Sequence, residues 1–260
     1  MYPYEIVFGL GLYEIMLMLG FFGALIYFRI FADRAGFGAR LQNLVLLCAV
    51  CALVFGYGFA VLTQAVYNAL ESGRFEIATD TGATFYGGLV GGAGTFIAIY
   101  FAVGHFRLKP REAVENFPHL ADIAAGSIAL AHGFGRLGCL FAGCCHGSET
   151  DAWYGIYHYY VDAKVVPVQL FEAIFLFVLF GVLTWRLIKG WKNNLAVYLM
   201  AYAVWRFAAE YLRADDRGAT VVSFLSPSQL VAVLLFVLGA GLLILSWRKG
   251  KTSGGDHEEA

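Results

Sequence analysis

Residues 131–147 read Ala-His-Gly-Phe-Gly-Arg-Leu-Gly-Cys-Leu-Phe-Ala-Gly-Cys-Cys-His-Gly. The stretch begins inside a hydrophobic run, yet it contains His132, the charged Arg136 and three of the five cysteines of the chain. A charged side chain within a membrane-spanning helix is energetically costly and usually marks a functional site. We therefore expect chemistry at this stretch and ask which other residues of the chain can meet it.

The composition is typical of an integral membrane protein. Of the 260 residues, 60% are hydrophobic and only 14% are charged, whereas soluble domains are about half apolar and about a quarter charged. The formal net charge of −1 gives no sign of a nucleic-acid partner, and we predict none. The predicted surrounding is the lipid bilayer.

The sequence predicts an all-α integral membrane protein with seven transmembrane helices. Several apolar runs reach the roughly 20 residues that a spanning helix needs, and their continuous hydrophobicity excludes a transmembrane barrel. The predicted spans cover residues 8–30, 44–67, 84–104, 120–143, 167–187, 195–213 and 228–247. Residues 1–248 are predicted to form a single transmembrane domain, followed by a disordered cytoplasmic tail at 249–260.

Lysine and arginine residues set the predicted orientation, because cytoplasmic loops carry an excess of them. The first, third and fifth loops and the C-terminal end are basic, as Arg29, Arg107, Arg186 and Lys249 illustrate. The fourth loop, by contrast, holds Lys164 alone. The N-terminus is therefore predicted to lie outside and the C-terminus in the cytoplasm.

With this orientation, six of the seven helices place polar residues at a similar depth, in the half nearer the outside. These residues are Glu14, Tyr86 with Gly87 and Gly88, His132, Arg136, Cys139, Gln169, Glu172, Arg206, Glu210 and Gln229. Unrelated polar residues would scatter in depth. The sequence therefore predicts a polar cavity near the level of the outer headgroups.

Arg136 is the first candidate for a binding residue in this cavity. His132, Arg136 and Cys139 follow one another at spacings of four and three, so they share one helix face. The planar guanidinium matches a phosphate with paired hydrogen bonds. The alternative is an arginine that a helix carboxylate neutralises for structural reasons. For His132, packing and a role in the site are equally favoured.

Arg206, Glu210 and Arg213 repeat this pattern on the sixth predicted helix. Arg206 and Glu210 could simply pair along the helix, which in a membrane removes a large desolvation penalty. The functional alternative is a second anion-binding arginine oriented by a carboxylate. On the third helix, Tyr86 is a candidate functional residue because its hydroxyl lies at the polar layer, whereas Gly91 and Gly92 are predicted to serve helix packing.

Cys144, Cys145 and His146 follow the fourth helix on its outer side, and three interpretations stay open. A nucleophilic or acid–base thiol would need a nearby positive charge to lower its pKa. A structural disulfide would suit an oxidising compartment. A metal site would have ligands of the right type, including Cys139. The metal interpretation is the least favoured, because adjacent cysteines usually cannot both bind one tetrahedral ion.

Motifs along most of the chain resemble those of the bacterial prolipoprotein diacylglyceryl transferase family. Gly135-Arg136-Leu137-Gly138 resembles the family signature, and Phe85-Tyr86-Gly87-Gly88-Leu89 is similar to its His-Gly-Gly-Leu stretch. Pro167–Glu172 resembles its Pro-Thr-Gln-Leu-Tyr-Glu motif. Further resemblance lies in the Tyr13 region of the first helix, in Arg206-Phe207 with Glu210 and Arg213, and in Leu225–Gln229.

The chain also departs from the family pattern. The signature continues Asn-Phe-x-Asn-x-Glu, whereas this sequence has Cys139, Ala142 and Cys144 at the Asn, Asn and Glu positions. Tyr86 stands at the position of the family histidine, and Gly58 stands where an arginine is expected. The lipid-anchoring arginines are thus retained, while several polar groups have become thiols.

The resemblance implies an enzyme of the bacterial cytoplasmic membrane that moves a diacylglyceryl group from an anionic phospholipid, such as phosphatidylglycerol, to a lipoprotein cysteine thiol. Its predicted partners are the anionic phospholipid and preprolipoprotein substrates, and neither a cofactor nor a metal is predicted. The predicted catalytic residues are Arg136, Cys144, Cys145, Tyr86, Arg206 and Glu210. The predicted substrate-binding residues are Tyr13, Gly87, Gly88, His132, Gly138, Cys139, His146, Gln169, Glu172, Arg213 and Gln229. The alternative function is a membrane thiol protein, redox-active or metal-binding, with the same fold.

Overall fold

A computed structural model describes residues 5–7, 9–75, 77–78, 81–108, 110–213 and 225–255 of the chain. Its helices are α1 (Leu12–Arg34), α2 (Ala39–Ser72), α3 (Phe85–Arg107), α4 (Pro110–Ala142), α5 (Val168–Ile188), α6 (Asn194–Ala209) and α7 (Pro227–Gly255). A 3-10 turn at Glu210–Leu212 continues α6. Two antiparallel hairpins pair β1 (Glu5–Val7) with β2 (Leu10–Gly11), and β3 (Ile156–His158) with β4 (Ala163–Val165).

The prediction of a helical, multi-pass membrane protein is confirmed. Within the described residues, six helices are long and apolar enough to cross a membrane, namely α1 to α5 and α7. The predicted span at 195–213 corresponds to α6, which has only 16 residues before the 3-10 turn. Helix α7 covers the first residues of the predicted tail and ends at Gly255, and residues 256–260 lie outside the described residues.

Helix α4 is longer than the span predicted from hydrophobicity. It begins at Pro110, ten residues before the predicted span at 120–143, and contains Pro118 in its interior. A proline at the first helical position costs little, because the first backbone N–H groups of a helix have no partner within it. The added turns carry both charged and apolar residues, so an average over hydrophobicity does not detect them.

The chain divides into two compact units, one of residues 1–30 with 119–260 and the other of residues 31–118. In the second unit, α2 and α3 pack closely along glycines. A Cβ atom at Gly91 would lie 2.3 Å from Cβ of Phe59, and one at Gly92 would lie 3.2 Å from the Ala52 carbonyl oxygen. The predicted packing role of these two glycines is confirmed.

In the first unit, small residues of α4 allow its neighbours to approach. A Cβ atom at Gly133 would lie 2.9 Å from the ring of Phe177 on α5, and one at Gly138 would lie 3.2 Å from the ring of Tyr13 on α1. Between α4, α5 and α6 lies an apolar core. Its buried members are Ala125, Ala129, Leu176, Leu179, Leu183, Tyr198 and Tyr202.

The connection between α4 and α5 is held by backbone hydrogen bonds to both sides. The Gly147 N–H donates to the Val166 carbonyl at 2.9 Å, and the Ser148 N–H donates to the Leu212 carbonyl at 3.1 Å. A Cβ atom at Gly147 would lie 2.5 Å from that Leu212 oxygen, so glycine is required there. The segment after α4 is therefore fixed against the start of α5 and the end of α6.

The start of α6 is fixed by a carboxylate of α4. The Asp122 side chain accepts hydrogen bonds from the backbone N–H groups of Asn193 at 3.2 Å and Asn194 at 2.6 Å. Asn193 has a φ of +66°, a conformation that asparagine tolerates better than most residues. The negative charge also lies favourably at the positive N-terminal end of the helix.

Replacing Asp122 with alanine is expected to lower the free energy of unfolding by about 2 kcal/mol, because two buried N–H groups lose a charged acceptor. Thermal or denaturant unfolding in detergent would measure the loss. Glu115→Ala, at an exposed position of the same helix, is the matched control and should change stability little. Equal stability of the two variants would contradict this account of the α6 cap.

Candidate functional site

The centre of the first unit is the buried carboxylate of Glu172, which is 1% exposed. Its Oε1 accepts a hydrogen bond from the Tyr202 hydroxyl at 2.9 Å. The same oxygen lies 3.0 Å from Nε of Arg136 and 3.9 Å from Nε2 of His132. A buried carboxylate is stable only when it is paired and hydrogen-bonded, and here three helices supply the partners.

Spacings of four residues explain how the partners meet. His132 and Arg136 lie one turn apart on α4, and Tyr198 and Tyr202 lie one turn apart on α6. His132 Nδ1 lies 3.1 Å from the Tyr198 hydroxyl, and its ring meets the Tyr202 ring edge-on at 4.8 Å. Arg136 is therefore neutralised by a helix carboxylate, which is the structural alternative that the sequence left open.

A second ion pair lies one turn further along α6. Nη2 of Arg206 lies 2.7 Å from Oε2 of Glu210, and the other carboxylate oxygen accepts a hydrogen bond from the Ser226 hydroxyl at 2.6 Å. The Ser226 N–H donates to Oε1 of Gln229 at 3.1 Å, and the Gln229 N–H donates to the Ser226 hydroxyl at 3.2 Å. These reciprocal bonds form a capping box at the start of α7.

Arg206 has unused donor capacity in a buried position. The residue is 7% exposed, and its Nη1 has no hydrogen-bond partner among residues 5–213 and 225–255 where these are described. An unsatisfied buried donor is unfavourable. Because guanidinium N–H groups suit phosphate oxygens, the arrangement is suited to an anionic ligand.

The three cysteines of the central stretch form a sulfur cluster, which we define as Cys139, Cys144 and Cys145. Their Sγ atoms all lie within 4.8 Å of one another, and all three are free thiols. Cys139 lies on the last turns of α4, which ends at Ala142. Gly143 and Cys145 then have positive φ values of 76° and 64°. The left-handed backbone turns the chain so that the two adjacent thiols lie near the first.

Two side chains hold the backbone of this turn. Gln169 Nε2 donates to the Cys144 carbonyl at 2.6 Å. His158 Nε2 donates to the Gly143 carbonyl at 2.7 Å, while its Nδ1 accepts from the Val161 N–H at 3.2 Å, which fixes the tautomer. The turn is therefore held rigidly from α5 and from the β3–β4 hairpin.

Arg213 forms a hydrogen bond with the Cys145 side chain. Hydrogen bonds from the Cys139 and Cys144 thiols, together with this arginine, lower the pKa of Cys145 well below its usual value. Hydrogen bonds within the cluster, first of all with Cys139, raise the pKa of Cys144. The cluster therefore favours a thiolate at Cys145, which is the positive-charge condition for an acid–base thiol.

The structure brings most predicted site residues into the first unit. Tyr13 lies against Gly138 and is close to the sulfur cluster, and the His146 ring meets the His158 ring at 4.3 Å. The remaining predicted residues, Tyr86, Gly87 and Gly88, belong to the second unit at the start of α3, where a Cβ atom at Gly87 would lie 2.4 Å from Oγ1 of Thr63 on α2.

Four residues of the site were not predicted from the sequence, namely Tyr198, Tyr202, His158 and Ser226. The two tyrosines lie at a spacing of four before Arg206, and that spacing is the signal that could have found them. Ser226 with Gln229 matches the pattern of a capping box. Nothing in the sequence around His158 distinguishes it from other polar residues of a connecting segment.

The family model described as prolipoprotein diacylglyceryl transferase matches residues 4–245 of the chain. A phosphatidylglycerol–prolipoprotein diacylglyceryl transferase 2 of Clostridium perfringens is 31% identical over 96% of this chain and 97% of its own length. A phosphatidylglycerol–prolipoprotein diacylglyceryl transferase of Clostridium tetani is 29% identical over 90% of this chain and 92% of its own. One from Dehalococcoides mccartyi is 30% identical over 82% of each chain.

Replacing Glu172 with glutamine should lower the free energy of unfolding by about 3–5 kcal/mol, because Arg136 would be left as a buried charge without its counter-ion. Thermal unfolding in detergent would measure the change. Glu149→Gln, which removes an exposed carboxylate, is the control. If both variants unfold at the same temperature, the Arg136–Glu172 pair does not have this structural role.

Proposed function

The chain belongs to the prolipoprotein diacylglyceryl transferase family, and on that premise we propose that it transfers a diacylglyceryl group from phosphatidylglycerol to the cysteine thiol of a prolipoprotein. The observation that supports the proposal most directly is Arg206. Its guanidinium is buried, held at one end by Glu210, and has an unpartnered Nη1. A phosphate oxygen is the acceptor that this donor suits best.

The phosphate of the lipid is the group that these arginines would stabilise. When the bond between the glycerol carbon and the phosphate oxygen breaks, negative charge grows on that oxygen. A preorganised donor in a buried site stabilises such a charge far more than water does. Arg206 is proposed to bind the phosphate, and Arg136, oriented by Glu172, to assist it.

The reaction exchanges one bond for another at the glycerol carbon. The acceptor sulfur forms a C–S bond, the C–O bond breaks, and the phosphate oxygen leaves with the electron pair as glycerol phosphate. The acceptor thiol must lose its proton to become a good nucleophile. Cys144 and Cys145 are proposed to take part in this proton transfer, and Tyr86 of the second unit remains a predicted participant.

The roles of the remaining predicted residues follow from their contacts. Gln169 and Gln229 bond to backbone and capping groups, so they are proposed to position the sulfur turn and the start of α7. The alternative function, a membrane thiol protein without transferase activity, is not favoured, because the family match extends over residues 4–245.

We also propose seven spans in the bacterial inner membrane, with the N-terminus outside. The distribution of lysine and arginine supports this orientation. Helix α6 alone is about 24 Å long at 1.5 Å per residue, short of the hydrocarbon thickness of about 30 Å. The 3-10 turn that follows α6 adds length at the outer end.

Arg206→Gln should reduce kcat/KM for diacylglyceryl transfer by about 100-fold, since it removes a charged donor from the developing phosphate charge. The assay would use purified protein in detergent with phosphatidylglycerol and a prolipoprotein peptide. Arg111→Gln, at an exposed position of α4, is the matched control and should retain activity. Unchanged turnover in Arg206→Gln would overturn the proposed phosphate contact.

The orientation can be tested with a membrane-impermeant maleimide in intact cells. Trp153, in the fourth loop, is 94% exposed, so Trp153→Cys should be labelled without permeabilisation. Lys251→Cys should be labelled only after permeabilisation, and peptide mapping would separate these sites from the native cysteines. The reverse pattern would show that the proposed orientation is wrong.

A further inference from the structure

The sulfur cluster has the composition and the geometry of a metal site. Thiolates are soft ligands that select zinc or monovalent copper. In a tetrahedral zinc site with Zn–S bonds of about 2.3 Å, two sulfurs lie about 3.8 Å apart. The three Sγ atoms already lie within 4.8 Å of one another, so a movement of about 1 Å at the side-chain ends would bring them to ligand spacing.

The sequence argued against this site because Cys144 and Cys145 are adjacent. The structure removes that objection. Side chains of neighbouring residues in extended backbone point to opposite sides, but Cys145 has a φ of +64°, and its sulfur lies with those of Cys144 and Cys139. A positive φ in a residue other than glycine is strained and is typical of functional sites.

The cluster offers three ligands and an open side. Among the described residues, the group of potential ligand atoms within 4.8 Å of one another contains only the three sulfurs. Both ring nitrogens of His158 are used by backbone groups, and Nδ1 of His146 lies 2.9 Å from the Gly147 carbonyl oxygen. Cys144 is exposed. Three protein ligands and one open position are the pattern of a catalytic zinc site.

The surroundings of the cluster also suit a metal. A zinc ion with three thiolates has a net charge of −1, and Arg213, bonded to the Cys145 side chain, supplies a compensating charge. Gln169 and His158 fix the carbonyls on either side of the turn. Such partners of the ligands orient them and contribute to metal affinity.

We propose that Cys139, Cys144 and Cys145 hold a zinc ion whose fourth position binds the acceptor cysteine of the prolipoprotein as a thiolate. This inference rests on the proposed transferase function and specifies how the acceptor is activated. A thiol that coordinates zinc loses its proton, and here the proton passes to water. The zinc-bound sulfur then forms the C–S bond as the C–O bond breaks. The neutral thioether product is a weaker ligand and dissociates.

The first test is metal content in the purified full-length protein after equilibration with zinc. We expect one zinc per chain in the wild type and in Cys51→Ser, whose thiol belongs to the second unit. Cys139→Ser, Cys144→Ser and Cys145→Ser should each weaken zinc binding by more than about tenfold. Thermal unfolding in the absence of metal would identify any variant that fails to fold.

The second test uses only wild-type protein, so it does not depend on the folding of variants. The protein is loaded with Co²⁺, and its sulfur-to-cobalt charge-transfer absorption is followed while a prolipoprotein peptide is added. A peptide with the acceptor cysteine should strengthen the absorption, and the same peptide with serine should not. Chelation should abolish transfer, and zinc should restore it.

The outcomes separate this inference from the proposed function. Transfer that resists chelation and needs no bound metal would overturn the zinc site while the transferase function stands. Zinc binding without any spectral response to the cysteine peptide would overturn the role in acceptor activation. Absence of transfer from phosphatidylglycerol by the zinc-loaded protein would overturn the proposed function itself.

Discussion

The organisation of the first unit depends on the need to neutralise one buried carboxylate in an apolar surrounding. Glu172 is almost completely buried, and a bare charge there would be prohibitively costly. Arg136 from α4 and Tyr202 from α6 both reach the same oxygen of Glu172 on α5. Because each partner comes from a different helix, the pairing sets the rotation of all three helices about their axes and thereby the direction of the neighbouring polar side chains.

Helix α6 carries this constraint to the second arginine. Tyr198, Tyr202, Arg206 and Glu210 follow one another at intervals of four, so fixing Tyr202 also fixes the face on which Arg206 lies. Glu210 in turn bonds to Ser226 at the start of α7. The two arginines differ in consequence. The Arg136 Nε is committed to a buried counter-ion, whereas Arg206 keeps a buried donor for a ligand.

Hydrophobicity and loop charge were sufficient to predict the helices and the residues of the polar layer, because both depend on composition along the chain. The pairing of Arg136 with Glu172 was not predictable, since it depends on helix rotation and the two residues are 36 positions apart in sequence. The early start of α4 was missed because its first turns are amphipathic. The approach of the two adjacent thiols depends on a positive φ at Cys145, which residue type does not indicate.

The replacement of family polar groups by thiols becomes understandable once the sulfurs are seen together. A single thiol in place of an asparagine or a glutamate would lose hydrogen-bonding capacity, because a thiol is a weak donor and acceptor. Three thiols at one point have a property that none has alone, since they can bind a soft cation and its charge. The acceptor in this family's reaction is itself a thiol, which is a soft ligand for the same cation. The substitutions at Cys139 and Cys144, with Cys145 beside them, thus exchange activation by hydrogen-bonding groups for activation by a metal, while the arginines that bind the phosphate are kept.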